Sequence, residues 1–147
     1  MKTSKQRIKG VLGEIEGVSF RRFNDPDGDT GPFLILTFDN ASHAIRVSQK
    51  LTKSGVENVF HLSAYGLHIY YNIRSLVEKV QLSPAGNPWS LSQNAESIFD
   101  YGKGTCPISD DLFERSVIIT IPSRLTTEQE RQLAQAIRNA VFANKID

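Results

Sequence analysis

Asn24-Asp25-Pro26-Asp27-Gly28-Asp29-Thr30-Gly31, followed after Pro32 by Phe33-Leu34-Ile35-Leu36-Thr37-Phe38, is the stretch that decides the fold. Its first eight residues are dense in turn formers, each able to hold a bend by side-chain hydrogen bonding, a preset φ or glycine freedom. The run from Phe33 to Phe38 is almost continuously apolar, which predicts a central strand buried on both faces. Upstream, Val18, Phe20 and Phe23 sit around a short strand ending at Asn24. Two strands joined by a turn-rich loop predict an antiparallel hairpin.

Helices flank this hairpin. Ile8, Val11, Leu12 and Ile15 recur at helical spacing and predict a helix over 3–15, weakened by Gly10 and Gly13 and stopped near Gly17. Asp39 or Asn40 caps a helix from Ala41 to Ser54, with Ala44, Ile45, Ser48 and Leu51 inward and Gly55 supplying a left-handed end. Residues 56–62 and 66–71 read as extended segments, and 74–80 as a short helix. Residues 82–105 form an irregular but ordered excursion, because Trp89, Phe99 and Tyr101 give it apolar surface to bury. Pro107 opens a short helix through Phe113. Val117 to Ile121 is a β-branched strand stopped by Pro122, and Thr126 with Gln129 forms a capping-box pattern. The last helix carries Leu133, Ile137 and Val141 on one stripe, with Ala134 and Ala140 beside it. The expected fold is α+β: one domain over 1–147, a two-layer sandwich in which a small mixed or antiparallel sheet packs with helices.

Composition narrows the function classes. A charged content of 22% that sums to a net charge of only +1 offers no global field for nucleic acid or an anionic membrane. The local cluster Lys2, Lys5, Arg7 and Lys9 reads as a solvated helix face. The single cysteine, Cys106, excludes an internal disulfide framework and fits a reducing cytoplasm. No apolar run approaches the roughly 20 residues of a spanning helix, and the polar first residues predict no signal peptide.

Several constellations invite chemistry. Asp25, Asp27 and Asp29 alternate as in a calcium loop, but Thr30 and Leu36 stand where an EF-hand needs glycine and a bidentate glutamate, so a solvated hairpin turn is expected. Gly102-Lys103-Gly104-Thr105 fails the spacing of a phosphate loop. Cys106, just before a helix-opening proline, is a candidate reactive thiol, with His68 the one histidine placed to serve as its base. His43 is expected on a helix surface and His61 at a strand end, a scatter without metal spacing. The sharpest cluster is Gly66-Leu67-His68-Ile69-Tyr70-Tyr71-Asn72. On an extended chain His68, Tyr70 and Asn72 share a face, suited to hydrogen bonding a polar ligand or a partner.

The ordered series resembles a known family. Val18-Ser19-Phe20-Arg21-Arg22, the Asp25–Gly31 turn and the Phe33–Phe38 strand resemble the opening of the small C-terminal domain of DegT/DnrJ/StrS-type sugar aminotransferases, which have the fold-type I architecture of aspartate aminotransferase. His68-Ile69-Tyr70-Tyr71-Asn72 is similar to the family's histidine–tyrosine segment. Tyr101-Gly102-Lys103-Gly104-Thr105-Cys106-Pro107-Ile108-Ser109-Asp110-Asp111-Leu112-Phe113-Glu114-Arg115 resembles its closing signature. The resemblance implies a fold whose family moves amino groups onto keto-sugars with pyridoxal phosphate. It also implies that the cofactor lysine, the aspartate on the pyridine nitrogen and the phosphate-binding loop belong to a large domain outside this sequence. No catalytic residue is therefore expected here, and no cofactor is bound by this chain alone; pyridoxal phosphate enters only with a large domain. The expected function is a stand-alone binding or interaction module. One alternative is a complementing half of a split aminotransferase, and another an independent small enzyme using Cys106 or His68. A homo-oligomer or a partner protein is expected to cover an exposed face lined by His68, Tyr70, Tyr71 and Trp89.

Overall fold

The computed structural model describes residues 1–66, 69–81, 83–84, 86–96 and 100–143. Within them lie a helix α1 (Lys2–Leu12), strands β1 (Val18–Phe20) and β2 (Phe33–Phe38), helix α2 (Ala41–Lys53) and strand β3 (Val59–His61). After them come helices α3 (Arg74–Val77) and α4 (Pro107–Glu114), strand β4 (Ser116–Thr120) and helix α5 (Thr127–Phe142). The four strands form one antiparallel sheet in the order β1-β2-β4-β3. The fold is α+β, with the predicted hairpin in place: Val18 pairs with Phe38 and Phe20 with Leu36. The chain leaves β2, crosses through α2 to the far edge as β3, and returns as β4 into the gap between them.

Side-chain alternation then sorts the sheet into two faces. Leu34, Leu36 and Phe38 of β2, Val117 and Ile119 of β4 and Val59 of β3 point to one side. There they meet Ile8 and Leu12 of α1, Ala44, Val47 and Leu51 of α2, and Ala134, Ile137, Ala140 and Val141 of α5. Phe33, Ile35 and Thr37 face the other way and are only half-buried. This corrects the expectation that Phe33–Phe38 is covered on both faces. The apolar run does not alternate in sequence, but its cover does.

Local signals set the helix ends. Asn40 accepts the His43 N–H at 2.9 Å and caps α2, and Gly55 takes φ of 83° just beyond it. Thr126 and Gln129 close the capping box at 3.2 and 2.9 Å. Arg138 of α5 donates to the Leu12 carbonyl at 2.8 Å, satisfying one of the acceptors left open where α1 ends.

Three further expectations are corrected. Val47 rather than Ile45 faces inward on α2, since Ala44, Val47, Ser48 and Leu51 keep the i, i+3, i+4, i+7 spacing and Ile45 falls outside it. Lys5 is not on a solvated face: its side chain is only 4% exposed, 2.7 Å from Asp29 and over the Phe23 ring. Gly31, with φ of 82°, lies so close to Lys2 that a Cβ there would approach its backbone to 2.5 Å, so the acidic loop closes against α1. Finally, among the described residues the excursion after Gly66 contributes no strand before β4; Tyr70–Asn72 is a 3-10 turn.

His43 packs its ring 4.7 Å from that of Phe38. Burial above all, with the nearby Arg46 charge, pushes its pKa below the usual histidine value, against the Val141 backbone hydrogen bond, which raises it. A folded-state pKa below the unfolded one gives stability that is present above about 6.5 and falls away as the imidazole is forced to protonate. Thermal unfolding from pH 7 to pH 5 is expected to lower Tm more in the wild type than in His43→Gln; parallel curves would refute the assignment.

Candidate functional site

The Tyr70–Asn72 turn, the 100–106 loop and the start of α4 meet at one carboxylate. Asp110 is buried in the first turn of α4, where the positive end of the helix favours an acid. Tyr70 donates its hydroxyl to Asp110 Oδ1 at 2.9 Å, and the Gly104 N–H donates to Oδ2 at 2.7 Å. The same phenol oxygen accepts the Cys106 N–H at 3.2 Å. Burial and the carboxylate push the Tyr70 phenol above its usual pKa, while the Cys106 amide pulls the other way. The carboxylate thus fastens two distant segments to α4.

Around this latch, Tyr71 sets its ring edge-on to Tyr70 at 5.1 Å, with the Lys103 ammonium 5.9 Å from the Tyr71 ring centre. Lys103 reaches Glu114 at 2.5 Å. His61, at the end of β3 as expected, bonds the Glu114 carbonyl through Nε2 and Ser63 through Nδ1. The hydrogen bond to Glu114 raises the Lys103 pKa, and burial raises that of Tyr71. Both shifts favour the protonated forms, an ammonium and a neutral phenol.

The structure brings together Tyr70, Tyr71 and Cys106 from the sequence candidates. Cys106 is exposed at the start of α4, tied by its backbone rather than its sulfur. Asn72 turns back to the Gly66 carbonyl at 3.1 Å, which ends the notion of a polar strand face shared with Tyr70. Trp89 belongs to another contact: its ring lies 6.4 Å from that of Tyr101, and its indole N–H points to the Tyr101 hydroxyl at 3.5 Å. His68, the proposed partner base, lies outside the described residues. The aspartates of the 24–31 loop are engaged internally. Asp25 accepts the Asp27 and Gly28 amides, and Asp29 accepts the Gly31 amide and the Lys5 ammonium. Among the described residues no cluster of three metal-ligating side chains occurs.

A second feature was not foreseen from sequence. The sheet face turned away from α1, α2 and α5 carries Ser19, Thr37 and Ser116 in one cross-strand row and Ile35, Ile118 and Phe60 in the next. Leu62, Tyr65, Leu112 and Phe113 wall one side and Arg21 and Arg22 stand at the other, enclosing a trough of about 730 Å³. Tyr65 meets Phe33 and Phe60 at 6.2 and 5.4 Å, making an aromatic ledge. Thr37 and Ser116 share a hydrogen bond of 2.8 Å on the floor. The missed signals are Ile108 and Leu112, exposed one turn apart on α4, and the Arg21-Arg22 pair beside a strand.

No protein-family model matches the chain. Among the described residues no helix is long and apolar enough to cross a membrane.

The latch yields a stability test. Asp110→Ala strands the Tyr70 hydroxyl and the Gly104 amide, which is expected to cost about 1–3 kcal/mol of unfolding free energy. Tyr70→Phe should destabilise as well, and the double variant should lose less than the sum of the two in urea titrations. Strict additivity would show that the contact carries no energy.

Proposed function

We propose that this chain is a non-catalytic interaction module whose uncovered sheet face docks another polypeptide. The observation that carries this reading is the trough: a half-buried, largely apolar sheet face of ligand- and partner-binding dimensions, left open by the described residues while three helices seal the opposite side. Its largely apolar lining, spread across the sheet from Arg21 to Leu112, suits a protein segment.

The resemblance to the small domain of DegT/DnrJ-type aminotransferases supports the same reading, since such a domain works against a larger one. On this reading the chain by itself binds no pyridoxal phosphate. A Schiff-base lysine needs a free, easily deprotonated amine, and three of the chain's lysines are committed elsewhere: Lys5 to Asp29, Lys103 to Glu114 with its pKa raised, and Lys2 to the Asp27 carbonyl. In the complementing-half reading, a separate lysine-bearing polypeptide supplies that chemistry and this chain supplies a packed surface.

The test uses an apolar fluorescent dye at high dilution, where self-association is reversed. Dye emission is expected to rise with the wild type and to be lost in Ile35→Glu with far-UV circular dichroism unchanged. A wild type that leaves the dye dark would sink the docking reading. Separately, borohydride treatment after adding pyridoxal phosphate should leave no single lysine stoichiometrically labelled. One dominant adduct would overturn the non-catalytic assignment.

A further inference from the structure

The trough and the helix beside it form a self-complementary pair. Ile108 is 79% exposed, the highest value among the exposed large apolar side chains, and Leu112 one turn later is 44% exposed on the wall of the trough. Their i, i+4 spacing places both on one stripe of α4. That helix carries Asp110, Asp111 and Glu114 and no basic residue. The far rim of the trough has the opposite charge. Arg21 and Arg22 are exposed there, and among the described residues neither belongs to an ion pair. Asp111 is 58% exposed; Arg115 contacts only its Oδ2, so Oδ1 is open to a further cation.

Backbone chemistry selects the kind of occupant. The trough is a surface of side chains, so an extended segment laid in it would bury N–H and C=O groups without partners. A helix satisfies its own backbone and brings only side chains to the contact. An apolar helical stripe with acids beside it, facing an apolar trough with arginines beside it, is complementary in shape and in charge. Both surfaces lie next to each other on the same chain, which is the condition for a closed two-fold contact in which each copy gives and receives.

We infer that a second copy of this chain is the occupant: α4 of each protomer seats Ile108 and Leu112 over the partner's trough and turns its acidic side toward the partner's Arg21 and Arg22. This inference rests on the docking reading of the trough. It makes the module a reversible homodimer, and a larger partner would have to displace α4 to reach the same face.

Sedimentation velocity over a concentration series tests it on the whole chain. The wild type is expected to show a monomer–dimer equilibrium, and Ile108→Glu, a substitution at an open surface position, to be monomeric with unchanged circular dichroism. Joint Arg21→Glu and Arg22→Glu substitution should weaken the dimer about tenfold, in line with exposed ion pairs worth under about 1 kcal/mol each. Adding Asp111→Lys to that pair should restore part of the loss, and raising the salt should narrow the difference. A monomeric wild type whose trough still binds dye would overturn the second copy as occupant while leaving the docking surface standing. A dimer broken by Ile35→Glu but indifferent to Ile108→Glu would assign the trough to another segment and overturn the role of α4. A trough that neither binds dye nor supports association would overturn the docking reading itself.

Discussion

The pairing of β2 with β4 governs everything else in this molecule. Leu36 opposite Val117 and Leu34 opposite Ile119 put four branched apolar side chains on one face at the centre of the sheet. Because side chains alternate strictly, a slip of one residue would send them to the other face and bring Ile35, Thr37 and Ser116 into the core. The three covering helices are placed by this register. So is the trough, whose floor consists of the residues that the register turns away from them.

The order of the strands adds a second constraint. β2 and β3 run parallel at a distance that only β4 can fill, and β4 arrives after the long excursion that follows β3. That excursion carries little regular structure, so it needs fastening from outside itself. Asp110 provides it: one buried carboxylate holds a phenol from the near side and an amide from the far side just ahead of β4. Other polar groups near it are engaged as well. Tyr70, Lys103 and His61 all have close partners, and the two resolved pKa shifts among them favour the protonated, resting forms.

Much of the fold was legible before any coordinates. The hairpin, the caps at Asn40 and Thr126, the left-handed Gly55 and the stripe on the last helix all follow from local stereochemistry, where a few neighbouring residues decide the outcome. The site was less legible. The sequence reads 66–71 as extended, but Tyr70–Asn72 forms a 3-10 turn in which Tyr70 gains a carboxylate and an amide that lie far away in sequence. Lys5 looked like one of four solvated cations. Its burial depends on Asp29, brought to it by the fold of the acidic loop onto α1.

The sequence by itself determined an α+β architecture and the ends of its longer helices, because capping, turn formation and apolar periodicity act over a few residues. It also limited the chemistry, offering one thiol and no metal-ligand spacing. Only the tertiary structure decided which face of β2 is left open. Phe33–Phe38 is apolar on both sides, so composition cannot distinguish a covered face from an uncovered one. That distinction arises where three helices from distant parts of the chain settle on Leu34, Leu36 and Phe38, leaving Ile35 and its neighbours beside Arg21, Arg22 and the exposed stripe of α4.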